Sequence, residues 1–280
     1  MKLNISEPEI GIYENVEDED YFAIKACNNS KLSLLGITPA HSLIEMEDSE
    51  PKRLGRAVHC YVLEGSVRFK ERYKVTRKLG RGTKAWKAIV KENEKQSTIK
   101  ELMQAHDFKR VYGVYKAIQE HPRAKELLSG GMKEVVAIWR DQQTGILCKA
   151  KIDHVSDPTL GYICDLKTTK SANPKEFARA IINLGYHRQA YYYLTGLNES
   201  QPYLYSGFKF ISCETKPPFR VQIFRLDAEF MELAKIEIED LLRIEESCIT
   251  SDFYPHYTMD YHTGDYEEEL QCPQWAAVRR

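Results

Sequence analysis

Apolar positions along the 280-residue chain change their period twice, and the changes predict the order of the elements. Over residues 53–63, Leu54, Ala57, Val58, Tyr61 and Val62 recur at intervals of three and four, the spacing of a buried helix. A shorter helix is expected over residues 30–35, ended by Pro39, and another over 98–120, ended before Pro122. The period then falls to two. EVVAIW (134–139), GILCKAKIDHV (145–155) and GYICDLKT (161–168) are short β-rich runs separated by turn residues at 141–145 and 157–158, which predicts a three-stranded meander. Helical periodicity returns over 174–197, two more strands are expected over 203–214 and 219–226, and an amphipathic helix over 227–248 carries Phe230, Leu233, Ile238, Leu241 and Leu242 on one broad face. The order predicts the α/β class, with a mixed central β-sheet flanked by helices. Residues 1–27 read as an acidic, poorly specified N-terminal lead-in, and 28–280 as a single domain.

Composition excludes several classes. With 42% hydrophobic and 11% aromatic residues and a net charge of −1, the chain is not disordered as a whole. No apolar run approaches the ~18 to 20 residues of a spanning helix, so no membrane partner is expected. The acidic start lacks the basic and apolar stretches of a secretory leader, and the seven cysteines are scattered without a C-x-x-C pair. A reduced, cytoplasmic setting is the expectation. The near-zero charge hides a segregation: −8 over residues 1–50, +12 over 51–130, +5 over 131–225 and −10 over 226–280. A basic middle between acidic ends permits a positive channel for a polyanion on a neutral protein. The stretch 68–100 holds twelve Lys and Arg against three Glu, with a flexible turn at Gly80, Arg81, Gly82 and Thr83.

Candidate chemistry centres on Asp153, Asp165 and Lys167. Residues i and i+2 of a strand share a face, so Asp165 and Lys167 project together while Leu166 enters the opposite, buried face. A hairpin would bring Asp153 from the preceding strand beside them. Two carboxylates and a main-chain carbonyl suit a hard divalent cation such as Mg²⁺, which lowers the pKa of a bound water and offsets charge on a phosphorane-like transition state. An adjacent ammonium orients the water. An Asp-x-Lys pair alone is a common surface ion pair, so its company decides: His59 inside an apolar helix, Glu134 at the start of the first meander strand, and Gln189 with Tyr193 at i and i+4 of a later helix.

In that order these residues make a pattern. Gly55…His59, Asp153, Asp165-Leu166-Lys167 and Gln189…Tyr193 resemble the G-x-x-x-H, strand Asp, (D/E)-x-K and Q-x-x-x-Y motifs of the PD-(D/E)xK nuclease superfamily in its RecB-like branch. SKLSLLGITPAH (30–41), GRAVHCYVLE (55–64), TGILCKAKID (144–153), DLKTT (165–169), YHRQAYYYLTG (186–196) and PQWA (273–276) are similar to the exonuclease domain of RecE and related phage exonucleases, from about residue 28 to the C-terminus.

The resemblance implies a restriction-endonuclease-like core and a metal-dependent exonuclease that digests one strand of duplex DNA from its 5′ end, leaving a 3′ overhang for recombination. It also implies a toroidal homotetramer and a RecT-like single-strand annealing partner. Carried over by position, Asp153 and Asp165 would hold metal with the Leu166 carbonyl, His59 would stand at a second metal position, and two Mg²⁺ ions, replaceable by Mn²⁺, would occupy the site. Lys167 would position or activate the water, Glu134 would support it, and Gln189 with Tyr193 would order the scissile strand. Ser30 and Lys31 would receive the DNA end. Basic residues such as Arg81 and Lys84 would bind backbone phosphates without sequence preference, and Trp86 could stack on an end base. Some RecB-like nucleases enclose an iron–sulfur cluster; Cys27, Cys248 and Cys272 lack that spacing, so none is expected. Two alternatives share the fold: a RecB-like nuclease acting on single strands or flaps, and a catalytically silent DNA-binding scaffold.

Overall fold

The computed structural model describes residues 3–45, 48–77, 79–80, 82–96, 100–257 and 272. The chain opens with β1 (Gly11–Tyr13), α1 (Asp18–Ala23), α2 (Asn29–Leu35) and a 3₁₀ turn, Pro39–Leu43. Next come α3 (Glu50–His59), a π-helical turn over Cys60–Glu64, α4 (Gly65–Arg72), β2 (Tyr73–Thr76), α5 (Lys84–Glu94), β3 (Glu101–Gln104), α6 (Ala105–Glu120) and α7 (Pro122–Leu127). The meander β4 (Met132–Arg140), β5 (Leu147–Val155) and β6 (Tyr162–Thr169) follows. Last are α8 (Pro174–Asn183), α9 (Tyr186–Ser200), β7 (Gly207–Glu214), β8 (Val221–Phe224) and α10 (Ala228–Ser251). Among the described residues no helix is long and apolar enough to cross a membrane.

Six strands form one mixed sheet in the order β1-β4-β5-β6-β7-β8, with only β6 and β7 parallel. That parallel pair needs a crossover, and α8 and α9 supply it. Valines, isoleucines and aromatics from the strands pack against α2, α8, α9 and α10 in one apolar cluster; a second cluster joins the sheet to α3, α4, α6 and α7. β2 and β3 form a separate two-stranded parallel sheet.

Several elements differ from the sequence reading, each for a local reason. Within the expected acidic lead-in, β1 pairs with β4 as an edge of the central sheet, and Tyr13, Tyr21 and Ile24 are buried against Val136 and Ile138. The acidic side chains mask three apolar anchors spaced too irregularly to read as an element. Residues 98–120 are not one helix: β3 precedes α6, because Glu101–Gln104 pairs with β2. The basic stretch 68–100 likewise contains the end of α4, β2 and α5 rather than one flexible segment. The single helix expected over 174–197 is two, broken at Gly185, whose φ of 66° is left-handed; a Cβ there would lie 2.6 Å from the Arg188 guanidinium. On α10, Ile238, Leu241 and Leu242 are buried as expected, but Leu233 faces solvent.

Gly196 fixes how closely α9 approaches the sheet. A Cβ at this position would come within 2.5 Å of the Trp139 ring on β4. Gly→Ala inside a helix ordinarily stabilises by ~1 kcal/mol, whereas forcing a methyl into a filled core costs about 1–3 kcal/mol. Gly196→Ala is therefore expected to destabilise the protein, read as a lower urea midpoint; an unchanged or raised midpoint would show that α9 has room to move.

Candidate active site

The site forms where β5 and β6 cease to pair. Their ladder is confined to His154↔Cys164 and Val155↔Ile163. The next register step would set Asp153 opposite Asp165; instead the strands part, and Asp153 Oδ2 accepts the main-chain N–H of Leu166 at 2.7 Å. A side-chain carboxylate thus takes the donor that a ladder carbonyl would otherwise satisfy. On the other side of β5, the register sets Glu134 beside Asp153, between Lys133↔His154 and Val135↔Ile152. Glu134 has a left-handed φ of 51°, a costly conformation for a residue with a Cβ and one that concentrates at functional sites. Strict alternation also breaks here: Ile152 and Val155, three residues apart, pack in the same apolar cluster. The irregularity turns both carboxylates into the gap.

His59 arrives from the opposite side. Ser49 caps α3 by accepting the N–H of Lys52, and Leu54, Ala57 and Val58 bury the helix against the sheet. The helix then widens into the π turn directly after His59, an insertion frequent at functional sites. The imidazole Nε2 bonds the Leu166 carbonyl at 2.6 Å, and Nδ1 lies 3.4 Å from Asp153 Oδ1. One ligand atom from each of His59, Glu134 and Asp153 lies within 4.8 Å of the others. Glu134 Oε1 is buried without a hydrogen-bond partner, the condition of a carboxylate shaped for a cation. One imidazole nitrogen and two carboxylate oxygens form a donor set able to hold a divalent metal ion.

Asp165 lies next to this group but is held differently. It is 2% exposed; Oδ2 pairs with Lys167 Nζ at 2.7 Å, and Oδ1 accepts from Gln189 Nε2 at 2.9 Å. Gln189 Oε1 accepts from the same Lys167 ammonium at 2.7 Å, and that ammonium lies 4.5 Å from the centre of the Tyr186 ring. The amide therefore closes a ring of two hydrogen bonds and one ion pair with the acid and the amine. Tyr193 stands one turn further along α9, within reach of Gln189.

The electrostatics follow from burial and crowding. Burial pushes Glu134 above the usual carboxylate range, and the neighbouring Asp153 adds to the rise. Burial likewise raises Asp165 against the pull of Lys167. Asp153 is lowered: burial opposes its charge, but His59, Lys167 and the Leu166 N–H outweigh it. Burial works against a charged His59 too, yet the surrounding Asp153, Glu134 and Asp165 raise it to about 9. Lys167 is raised by Asp165, Tyr186 and Asp153 in spite of burial, so it stands as an ammonium. Burial raises the Tyr193 hydroxyl well above its ordinary value, which keeps it a neutral donor.

Of the residues read from sequence, His59, Glu134, Asp153, Asp165, Leu166, Lys167, Gln189 and Tyr193 are brought together. Ser30 and Lys31 are not among them. Both line a separate cleft of about 1010 Å³ with Lys52, Arg56 and Lys149, and Lys31 pairs with Glu245 beneath the Tyr254 ring. Arg56 and His59 lie one turn apart on α3, which connects this cleft to the site. Lys84 is exposed on the first turn of α5, Trp86 is half-buried on the same helix, and Arg81 lies outside the described residues, as do residues 273–276. Sequence reasoning missed Lys151, whose Nζ is 3.5 Å from Glu134 Oε2, and Lys149, which bonds the carbonyls of Tyr21 and Ile24 at 2.7 and 2.6 Å. The signal was present: both precede Asp153 by even numbers of residues in one strand.

A strand-borne Asp, an Asp-x-Lys and a helical Gln around the gap in a mixed sheet define a nuclease-type fold of the PD-(D/E)xK class. The family described as a PDDEXK-like domain of unknown function, DUF3799, matches residues 25–263, and the chain belongs to it. No curated protein matches the chain. Among solved structures, a candidate exonuclease from Eubacterium rectale shares the fold with a TM-score of 0.61 at 14% identity, over 95% of this chain and 99% of that one.

Cation binding must displace the protons that these raised groups hold near neutral pH. Mn²⁺ affinity is expected to rise with pH up to about 9, the value of His59, with net proton release. Isothermal calorimetry in buffers of different ionisation enthalpy reads both; pH-independent affinity without proton release would contradict the assignment of His59 and Glu134 as ligands.

Proposed function

We propose that this protein is a divalent-metal-dependent deoxyribonuclease that hydrolyses phosphodiesters, and that it works as a 5′→3′ exonuclease on duplex DNA, producing 3′ single-stranded overhangs. The observation that carries the hydrolytic reading is the convergence of His59, Glu134 and Asp153 beside a buried Asp165–Lys167 pair held by Gln189. Duplex preference and polarity rest on the likeness of the 30–41, 144–153 and 186–196 stretches to RecE-type exonucleases. The same likeness supports a toroidal homotetramer and a RecT-like annealing partner, while a cytoplasmic setting rests on the scatter of the seven cysteines.

His59, Glu134, Asp153 and Asp165 would hold the cation, which supplies Lewis acidity and charge neutralisation at a phosphate. The chain's own groups do the rest. Asp165 and Gln189 fix the Lys167 ammonium at a defined point of the slot, where its protons can orient an attacking water and support developing negative charge on the phosphate. Because its pKa is raised, Lys167 acts as a hydrogen-bond donor. The Leu166 carbonyl, bonded to His59, would add a further oxygen ligand for the cation. Asp165 is buried and Tyr193 is partly buried against the core, which limits water at that wall of the slot.

Linear duplexes labelled at either the 5′ or the 3′ terminus test the reading. Mg²⁺-dependent release of the 5′ label first is expected. Release of the 3′ label first, or a preference for single strands, would overturn the polarity and duplex assignments, and intact DNA with every divalent metal would overturn the enzyme. Asp165→Asn should lower cleavage by about 10²-fold or more, the scale of losing transition-state charge stabilisation, while a filter-binding assay without metal finds DNA affinity nearly unchanged. Cleavage at the parental rate would refute the assigned role of Asp165.

A further inference from the structure

The acidic N-terminal residues and the basic helix α4 meet on the rim of the slot. Glu17 pairs with Arg68 and, at 3.3 Å, with Arg72. Asp18 pairs with Lys151 and lies 3.9 Å from Arg72, and Lys151 in turn approaches Glu134. A cavity of about 440 Å³ lined by Glu17, Glu64, Arg68, Arg72, Glu134 and Lys151 opens here. Glu64 and Glu71 brace the two guanidiniums from their own stretch of chain, Arg72 to Glu64 at 2.7 Å and Arg68 to Glu71 at 3.2 Å. Two braced guanidiniums and an ammonium next to a phosphodiester-cleaving site match the forked, charge-assisted geometry that recognises phosphate. In this structure they hold carboxylates instead.

Those carboxylates are poised to leave. The Glu17 and Asp18 side chains are 55% and 49% exposed, so their pairs are screened and individually weak. The backbone beyond them is fixed, because Tyr21 and Ile24 are buried, Lys149 bonds both their carbonyls, and Cys27 bonds the main chain of Leu147 and Lys149. Exchange needs only two side-chain rotations while the segment stays docked.

We propose that Arg68, Arg72 and Lys151 form a subsite for backbone phosphates of the nucleic-acid strand, and that Glu17 and Asp18 occupy it in the free protein as an internal competitor. The identity of the ligand rests on the nuclease reading. The competitor subtracts from affinity because the open subsite is only part of the free population, and an incoming strand gains what the carboxylates give up.

Fluorescence anisotropy of a labelled DNA duplex, titrated with full-length protein in EDTA at low salt, tests the competition without cleavage. Glu17→Gln with Asp18→Asn is expected to tighten binding by about three- to tenfold, the scale of the weak, screened pairs that these two exposed carboxylates make. Glu17→Gln alone should move affinity the same way by less. In an Arg68→Ala/Arg72→Ala background, where binding is weaker, the acidic substitutions should give no tightening. Glu19→Gln with Asp20→Asn removes the same charge from the same helix without touching the arginines and sets the screened long-range baseline. Equal tightening by both acidic pairs, tightening that survives loss of the arginines, or no tightening in a Glu17→Gln protein of parental urea midpoint would overturn the proposal. In each of those cases the parental protein still binds DNA. Absence of DNA binding by every variant overturns the nuclease reading along with it.

Discussion

Everything in this molecule that points to chemistry depends on two neighbouring strands parting. A paired β5 and β6 would bury Asp153 against Asp165, two carboxylates in a space with no water, at a cost no fold of this size could carry. The separation removes that conflict by supplying a cation or a donor to each oxygen. Asp153 takes the Leu166 N–H and His59, and Asp165 takes Lys167 and Gln189. Asp165 Oδ2 has the Lys167 ion pair but no hydrogen bond, and Glu134 Oε1 is buried with no hydrogen-bond partner. His59, Lys167 and Lys151 match the three carboxylates in charge, so a divalent cation would bind here by displacing the His59 proton and satisfying Glu134 Oε1.

The scaffold around the gap is built to hold this compromise. A π turn begins directly after His59, a left-handed residue turns Glu134 inward, and Gly185 restarts the chain so that α9 presents Gln189 to the strand pair. Each is a local departure from ideal geometry at the one place where side chains of like charge must share a space. The rest of the sheet alternates regularly and packs conventionally against its helices, and the close approach of Gly196 to Trp139 sets the distance of α9.

This division also accounts for what could be read from sequence. The meander, the two later strands and α10 were legible because their apolar periods are regular, and Asp165 and Lys167 were legible because a strand puts i and i+2 on one face. The spacing of Gln189 and Tyr193 made one face of α9 visible, though not that Gln189 would bond both Asp165 and Lys167. The break at Gly185, the β3 strand hidden ahead of α6, and the N-terminal segment were not legible. The last two depend on partners distant in sequence, β2 pairing with β3 and Lys149 and Val136 receiving Tyr21 and Ile24, whereas the break at Gly185 is a local left-handed glycine that the continuing helical period conceals. The charge of residues 1–20 concealed their apolar anchors, and the same charge neutralises the arginines of α4.

The central claim is that the gap between β5 and β6 is a divalent-cation cradle. Its most direct test is the anomalous scattering of Mn²⁺ soaked into crystals of the protein. The account predicts a peak in the slot with His59, Glu134 and Asp153 at coordination distances of about 2.0–2.3 Å and the His59 imidazole turned away from the Leu166 carbonyl. A fully loaded crystal with manganese only at surface carboxylates, and His59 still bonded to Leu166, would contradict it.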